Sequence, residues 1–407
     1  MKILHLCDSL NPAGLGGYES YLHYLSEQLS RRGHESLVVA QTSREDMPDY
    51  IIHDHYRVQY LPGNLLEAKK WKFYALPNDE QEQAAVQMFG RDDLELNIEA
   101  LRDQLLGVIQ ENKPDIIHAH STYVVFNRVL MNLRHDGRLN NIPILATIHG
   151  RPKPLILPDG KRTTDYDEFL DACPFELILG VSDNVTEVLR NGLHEKGIVT
   201  QVRTCYLGIN LSIFAPRPLT PKKWDITFMG RLEKMKAVDL FPEMLSILKR
   251  DFPTLRFLMT GEGSLRESIL EQFNKKEVSA LVEYPGVVDV EKVPDLINQS
   301  RIFIYPSREE PFGLSILEAM ACAVPVITTN VYGPSEIITQ NNDGMMVSPD
   351  NVKELSDSIR FLLQHEDLRT AMGNNGRKTV ESRFDIEMHT EKLVSIYKSL
   401  IHTKKMG

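Results

Sequence analysis

The chain has 407 residues, of which 42% are hydrophobic and 25% are charged, a composition typical of a globular protein with two or three domains. Its formal net charge of -10 argues against a protein that binds nucleic acid. The four cysteines form no CxxC pair, which argues against a disulfide framework or a thiolate zinc site and fits a reducing cytoplasm. No stretch approaches the ~20 apolar residues of a membrane span, although attachment to a membrane surface stays open.

The first half of the chain alternates strand and helix patterns. The apolar run Ile3-Leu6 predicts a buried strand, because it is shorter than the apolar core of a signal peptide. A glycine-rich turn follows at Gly14-Gly17, and apolar residues then recur at helical spacing until Gly33. A polar, helix-prone stretch covers about residues 66–112. Further strands are predicted at ESLVVA, DIIHAHS, IPILATIHG and LILGVS.

The pattern restarts in the second half after the Pro-rich segment YLGINLSIFAPRPLTPKKW, which marks a domain boundary. Alternating strands and helices predict a parallel sheet with helices on both faces. We therefore predict an α/β protein with two Rossmann-like, doubly wound domains, residues 1–208 and 209–385, that face each other across a cleft. A last helix, residues 386–407, is expected to pack back toward the first domain. The predicted strands are DITFMGRL, RFLMTGEG, LVEYPGVV, RIFIYPS, VPVITT and GMMVSP; helices include Leu240-Lys249, Val293-Gln299 and Val352-Leu363.

The segment SREEPFGLSILEAMACAVPVI combines a loop, a short apolar helix and a strand. Ligands of open α/β sheets bind beyond the carboxyl ends of the strands. Free N–H groups at the start of the helix, at Leu314 and Ser315, suit a diphosphate. Glu310 lies on the loop and Glu318 about one turn into the helix, and a carboxylate can accept hydrogen bonds from two neighbouring hydroxyls. The alternative is a favourable acid near a helix N-terminus and a solvated helix face.

Two further turns carry candidate binding groups. Arg231 and Lys236 follow the strand DITFMG, where cations can neutralise a departing nucleoside diphosphate, although a solvated basic turn is the alternative. Gly16 and Gly17 precede the first helix and allow close approach of the backbone to a ligand. They form no GxGxxG fingerprint, so NAD binding is not expected.

Three histidines lie at predicted strand ends: His118, His120 and His149. An HxH pair with a third histidine can ligate zinc, but no further His or Asp follows at the usual spacing, so we predict no metal. We interpret His118 as a buried structural residue and His120 as part of the acceptor side.

Four separate stretches, in order and over nearly the full length, resemble the retaining glycosyltransferases of family 4, which have the GT-B fold. They are GGYESYLHYLSEQLSRRGHE, the pair DIIHAHS and TIHG, GRLEKMK, and EPFGLSILEAMACAVPVI. The resemblance implies a hexosyl- or N-acetylhexosaminyltransferase that uses a UDP- or GDP-linked sugar without a metal ion. The second domain is expected to bind this donor, and the first domain the acceptor. Retention by front-side attack is implied as well.

The resemblance also implies roles for single residues. Glu310 is expected to bind sugar hydroxyls and Glu318 the ribose, whereas Arg231 and Lys236 neutralise the diphosphate. His149 is expected to contact the donor sugar near its reacting end. The donor-binding set is completed by Gly16, Gly17, Val288, Phe312, Gly313, Leu314 and Ser315.

The chain departs from the family pattern at three positions. Ala237 follows the lysine where the family has glycine, and Leu207 and Asn210 replace Asn and Asp in the segment that precedes the Pro-rich linker. These departures affect backbone and hinge details rather than the charged groups.

The acceptor is open between a carbohydrate, a lipid-linked molecule and a small molecule, and the segment GRPKPLILPDGKRTTDYDEF is a candidate acceptor loop.

Three alternatives to this transferase function remain. They are a nucleotide-sugar-binding protein without transferase activity, a GT-B nucleotide-sugar 2-epimerase, and a synthase of the glycogen or starch type, whose opening Lys-x-Gly-Gly this chain lacks.

Overall fold

A computed structural model describes residues 1–7, 17–42, 48–62, 91–120, 125–150, 154–156, 162–164 and 173–406. These residues form two compact units. The first contains the described residues of 1–7, 22–205 and 390–406, and the second contains 17–21 and Tyr206–His389. The chain passes from the first unit to the second after Cys205 and returns after His389.

The described strands and helices alternate along most of the chain. The strands are β1 Lys2–Cys7, β2 Glu35–Thr42, β3 Tyr50–Ile52, β4 Arg57–Pro62, β5 Ile116–His120, β6 Ile144–Ile148, β7 Pro154–Ile156, β8 Arg162–Thr164, β9 Leu177–Gly180, β10 Gln201–Thr204, β11 Trp224–Met229, β12 Phe257–Thr260, β13 Val282–Gly286, β14 Ser300–Tyr305, β15 Val326–Thr329 and β16 Met345–Val347. The helices are α1 Gly17–Arg31, α2 Arg91–Asn112, α3 Val125–His135, α4 Asp183–Glu195, α5 Phe241–Leu248, α6 Arg266–Lys275, α7 Val293–Asn298, α8 Leu314–Ala321, α9 Pro334–Ile337, α10 Val352–Gln364, α11 Glu366–Arg383 and α12 Ile386–Met406.

The sheet of the first unit has eight strands in the order β10-β9-β6-β5-β1-β2-β4-β3. Neighbouring strands are parallel except at one edge, where β3 pairs antiparallel with β4. Every residue of β5 and β6 is buried, which is the pattern of strands covered on both faces. The edge strand β10 instead alternates between exposed and half-buried residues. Strands β7 and β8 form a separate antiparallel pair.

The second unit has a six-stranded, fully parallel sheet in the order β13-β12-β11-β14-β15-β16. Its central strands are buried and pack large aromatic side chains against the helices: the rings of Phe228 and Phe257 both meet Phe241 of α5 edge to face. The strand order reverses direction around β11 and β14, which is where such sheets bind ligands.

The predicted two α/β halves with parallel sheets are confirmed, and helix α8 has the bounds predicted from LSILEAMA. The predictions missed β3, β4, β10 and the β7–β8 pair, whose short or half-buried strands carry little apolar signal. Most of the candidate acceptor loop and residues 66–90 of the helix-prone stretch lie outside the described residues; α2 covers the rest of that stretch. None of the described helices is long and apolar enough to span a bilayer.

Candidate functional site

The loops that follow β11 and β12 in the second unit touch through glycines. Gly261 has a φ of 120°, and a Cβ there would overlap the carbonyl oxygen of Gly230. A Cβ on Gly263 would lie 2.5 Å from the carbonyl oxygen of Leu232. These contacts need glycine, because any side chain would force the two loops apart. They bring the turn after β11, which contains Arg231 and Lys236, to the carboxyl edge of the sheet.

Lys236 ends a short 3₁₀ turn, Lys234–Lys236, and is 6% exposed. Its Nζ donates a hydrogen bond of 2.6 Å to Oε2 of Glu310 and lies 4.8 Å from the ring centre of Tyr305. Burial alone would lower the pKa of Lys236, but the Glu310 carboxylate and Tyr305 outweigh it, so the pKa lies above its ordinary value. The site therefore holds a permanent cation paired with a buried carboxylate.

Glu310 is held by its own loop as well. The backbone N–H of Phe312 donates to Oε1 of Glu310 at 3.3 Å, so both carboxylate oxygens have a partner. A Cβ on Gly333 would overlap the backbone of Glu310 and Phe312, so glycine lets the segment before α9 lie directly against this loop. On its other side, Phe312 contacts the rings of Tyr206 and Phe384, with centroids 5.8 and 5.9 Å away.

Helix α8 starts directly after this loop. Gly313 precedes it with a φ of 115°, and no side chain caps the helix. The N–H groups of Ile316 and Leu317 donate to the carbonyl oxygen of Gly313, whereas those of Leu314 and Ser315 have no acceptor within the helix, which makes its start suited to an anion. A Cβ on Gly17 would lie 3.2 Å from Cδ1 of Leu314, so the first residue of α1 lies beside the start of α8. Gly16 lies outside the described residues.

Glu318 lies in the second turn of α8 and is half-buried. Within the described part of the chain its carboxyl group makes no hydrogen bond or ion pair. Burial raises the pKa of Glu318 to about 8. A shielded carboxyl group that no described residue bonds is a candidate for hydrogen bonding to ligand hydroxyls.

The other predicted donor residues are less tightly held. Arg231 is exposed, and its guanidinium lies 3.7 Å from Sδ of Met235. Val288 is half-buried and follows the turn at Gly286, which has a φ of 78°. Lys236 and Glu310 are thus in contact, whereas Arg231 contacts neither of them.

The first unit contains a buried histidine cluster on neighbouring strands. His118 hydrogen-bonds through Nδ1 with the Tyr397 hydroxyl at 2.6 Å and through Nε2 with Thr147 Oγ1 at 2.7 Å. His5, which the sequence did not single out, lies on β1 with its Nδ1 3.1 Å from Nε2 of His120. Nδ1 of His120 in turn lies 3.4 Å from Nε2 of the half-buried His149.

The cluster has the composition of a metal site, since ligand atoms of His5, His118 and His120 lie within 4.8 Å of one another. Its hydrogen bonds disfavour that role. Both nitrogens of His118 are taken by hydroxyl groups, which leaves fewer than the three protein ligands of a usual zinc site. Burial lowers the pKa of His5 to about 3, so its ring is neutral. The group is a set of hydrogen-bonded rings in which Nε2 of His5 is buried without a hydrogen-bond partner among the described residues.

Three further residues support the charged site and were missed from the sequence. Tyr305 is the last residue of β14 and ends its buried run, a position at the carboxyl end of a strand that the sequence could have indicated. The glycine in VYGPSE marks the close approach at Gly333. Arg308 has no local signal, because its partners are far away in the sequence.

Family models match both halves of the chain. The model "Glycosyltransferase Family 4" matches residues 15–212 and "Glycosyl transferases group 1" matches residues 212–379. A glycogen synthase of Mycobacterium tuberculosis is 24% identical over 98% of this chain and 94% of that protein. Sucrose-phosphate synthase of Thermosynechococcus elongatus has a similar structure, with a TM-score of 0.76, 19% identity and coverage of 99% of both chains. The Anabaena protein HepE, solved in complex with UDP-glucose, has a TM-score of 0.70 at 16% identity and covers 98% of this chain and 100% of its own.

Proposed function

Because the chain belongs to the GT-B glycosyltransferases of the family 4 type, we propose that it transfers a sugar from a nucleotide diphosphate donor to an acceptor hydroxyl, with retention. One observation carries the proposal: a buried Lys236–Glu310 pair next to the uncapped start of α8. This combination offers a fixed cation and free N–H groups to a diphosphate, and a carboxylate to sugar hydroxyls.

The donor groups divide between two parts of the ligand. Lys236, Arg231 and the N–H groups of Leu314 and Ser315 neutralise the diphosphate. Glu310 binds sugar hydroxyls, and the unbonded carboxyl of Glu318 binds the ribose. Phe312 and Gly313 shape the loop before α8, and the turn at Val288 accepts the base. UDP-glucose bound to the structurally similar Anabaena protein supports a UDP-linked donor, and GDP remains the alternative nucleotide.

Retention by front-side attack is supported by the state of Glu310. Both of its oxygens are engaged, by Lys236 and by the Phe312 N–H, so the carboxylate is a poor nucleophile for a double displacement. In the proposed step the acceptor oxygen bonds to the anomeric carbon as the bond from that carbon to the phosphate oxygen breaks. The acceptor proton moves to the departing phosphate. Lys236 and Arg231 stabilise the charge that develops there.

The first unit supplies the acceptor side in this proposal. His120 and His149 lie at the ends of β5 and β6 and are the candidate contacts to the acceptor and to the reacting end of the sugar. The similarity to a glycogen synthase supports a hexose or an N-acetylhexosamine as the transferred group and a glycan or glycoconjugate as the product.

The donor assignment is tested with two variants and two ligands. Glu310→Gln should abolish most hydrolysis and transfer with UDP-glucose or GDP-glucose while UDP or GDP alone binds as in the wild type, because the bare diphosphate lacks the sugar. Glu318→Ala should weaken binding of the bare diphosphate by about 2–4 kcal/mol, the loss of a carboxyl that bonds two hydroxyls. Calorimetry and a coupled diphosphate-release assay measure both.

Equal loss of diphosphate affinity in both variants would contradict the division between sugar and ribose. Binding of a nucleotide sugar without turnover by the wild type would favour the binding protein without transferase activity. Conversion of the sugar to its 2-epimer would favour the epimerase.

Metal independence is part of the proposal and rests on the occupied nitrogens of His118. Turnover should be unchanged after treatment with EDTA and desalting. Loss of turnover that only a divalent cation restores would contradict it.

A further inference from the structure

Arg308 connects the two loops that carry the charged pair. It lies two residues before Glu310, and its backbone N–H donates to the carbonyl oxygen of Met235 at 2.8 Å. Its Nη1 also donates to the carbonyl oxygen of Lys234. Met235 and Lys234 belong to the same short turn as Lys236. One residue thus ties the loop of the carboxylate to the turn of the cation.

The guanidinium of Arg308 is fixed on two sides. Nη1 and Nη2 donate to the two carboxylate oxygens of Asp239 at 2.7 and 2.9 Å, and Nε donates to Asp350 at 2.7 Å. The hydrogen bonds that Arg308 donates to Asp239, and then the one to Asp350, raise the pKa of Arg308 above its ordinary value. Single surface ion pairs contribute little, but a planar guanidinium held by two carboxylates has a defined orientation. A lysine cannot reproduce these paired bonds.

The Lys234–Lys236 turn, which Arg308 contacts, ends in a backbone conformation that its residue does not favour. Ala237, directly after Lys236, has φ 53° and ψ 30°, in the left-handed region. That conformation costs a non-glycine residue roughly 1–2 kcal/mol. A turn that includes such a residue needs contacts from outside to stay in place, and Arg308 provides several of them.

We propose that Arg308 is a positioning residue of the transferase, which keeps the Lys234–Lys236 turn against the Glu310 loop so that the cation stays where the donor diphosphate needs it. This inference rests on the proposed function of Lys236 and Glu310. Arg308 itself needs no contact with the donor.

The proposal predicts a loss of turnover without a matching loss of affinity. Arg308→Gln and Arg308→Lys should both lower kcat by about 10- to 100-fold, since a displacement near 1 Å can cost that much. Binding of UDP or GDP by calorimetry should fall less than kcat does, because the start of α8 and Glu318 keep their contacts and only the contribution of the displaced Lys236 is lost. The assay uses the full chain and the nucleotide sugar that the wild type turns over.

Arg360 offers a matched control. Its side chain is 27% exposed, against 21% for Arg308, and it is likewise paired with two aspartates, Asp251 and Asp357. It lies on α10, and none of its described hydrogen bonds or ion pairs reaches the turn or the Glu310 loop. Arg360→Gln removes the same charge and should leave kcat unchanged.

The outcomes separate this inference from the proposed function. If Lys236→Met and Glu310→Gln retain full turnover, the proposed function fails. Suppose instead that those two variants are inactive. The positioning role is then overturned if Arg308→Gln keeps wild-type kcat, or if its only effect is a lower melting temperature like that of the control Arg360→Gln. Wild-type kcat in Arg308→Lys would overturn it too, because charge alone would then suffice.

Discussion

Two buried polar clusters lie at the carboxyl ends of parallel strands, one in each unit, and they are built differently. In the first unit His5 and His118 belong to the strands β1 and β5 themselves, and their rings hydrogen-bond with another imidazole and with a tyrosine hydroxyl. In the second unit Lys236 and Glu310 lie on turns beyond the strands and form an ion pair.

The difference shows what burial demands of each kind of group. Hydrogen-bonded rings can lie on regular strands, because each hydrogen bond offsets the loss of water at the atom that makes it. A buried charge needs an opposite charge at close range, and the two are brought together by loops that regular structure does not hold. Those loops are held instead by the close approach at Gly333 and by Arg308, which offset the strain of the left-handed Ala237.

The chemistry follows from the same contrast. The second unit holds a permanent cation, Lys236, whereas the first presents groups that can donate or accept a proton in a hydrogen bond. Such groups suit an acceptor hydroxyl, and the charged turn suits a diphosphate. Four changes test how far the contrast extends, beginning with the largest expected effect.

Removing one partner of the ion pair should have the largest effect. Lys236→Met leaves Glu310 buried and unpaired, which should cost about 3–5 kcal/mol of stability. The double variant Lys236→Met/Glu310→Gln should recover most of that stability and stay inactive, with turnover at least about 10³-fold down. Urea unfolding and diphosphate release measure the two properties separately. A single variant as stable as the double would show that water already screens the pair.

The histidine cluster of the first unit should respond less strongly. His118→Phe removes the hydrogen bonds to the buried Thr147 and Tyr397 hydroxyls, and each unsatisfied group costs about 1–3 kcal/mol. His194→Phe, on the exposed side of α4, should change the free energy of unfolding by less than about 0.5 kcal/mol. If His118→Phe is as mild as this control, the hydroxyls have other partners and the cluster is not a mutually dependent network.

The parts of the site that the sequence predicted are those with a local pattern. Glu310, Glu318 and the start of α8 all lie within a dozen residues of one loop–helix segment, where spacing alone fixes their places. Arg308 lies in that segment too, but its partners Asp239 and Asp350 are 69 and 42 residues away, so only the fold reveals its role.

The histidine cluster of the first unit was only partly predictable from the sequence, for a related reason. His118 and His120 share one strand and were found by their spacing, whereas His5 is 115 residues from His120 and meets it across paired strands. Nothing in the apolar run around His5 distinguishes it from a core position. The edge strands β3 and β10 were missed because alternating, half-exposed residues resemble loops in a short window.

Glu318, which has no hydrogen-bond or ion-pair partner among the described residues, should make ligand binding depend on pH. Its raised pKa of about 8 means that the folded protein holds a proton there at pH 7. Ribose hydroxyls favour the carboxylate, so UDP affinity should rise with pH up to about pH 8, by at most tenfold per pH unit. Glu318→Gln should show a nearly flat profile by calorimetry at pH 6.5, 7.5 and 8.5. The same slope in both proteins would assign the titration to another group.

The sign for stability is the opposite. Because the folded pKa lies above the unfolded value of 4.5, ionisation is disfavoured in the folded state. Glu318 therefore destabilises the wild type increasingly from about pH 4.5 to pH 8. Relative to the wild type, Glu318→Gln should gain stability over that window.

The smallest effect is expected at Ala237, where the chain has alanine in a left-handed turn. Ala237→Gly relieves roughly 1–2 kcal/mol of backbone strain. It also gives the unfolded chain more freedom, which costs about 0.4–1 kcal/mol, and removes a buried methyl group that contributes about 0.8 kcal/mol. These terms nearly cancel, so the free energy of unfolding in urea should change by less than about 1 kcal/mol and turnover should stay the same.

Ala237→Val, by contrast, cannot keep the conformation easily and should lose both stability and turnover, because the displaced turn moves Lys236 away from Glu310. A large gain in stability with glycine would mean that strain in this turn is not offset by the surrounding contacts, and the picture of a charged cluster held in place by its loops would need revision.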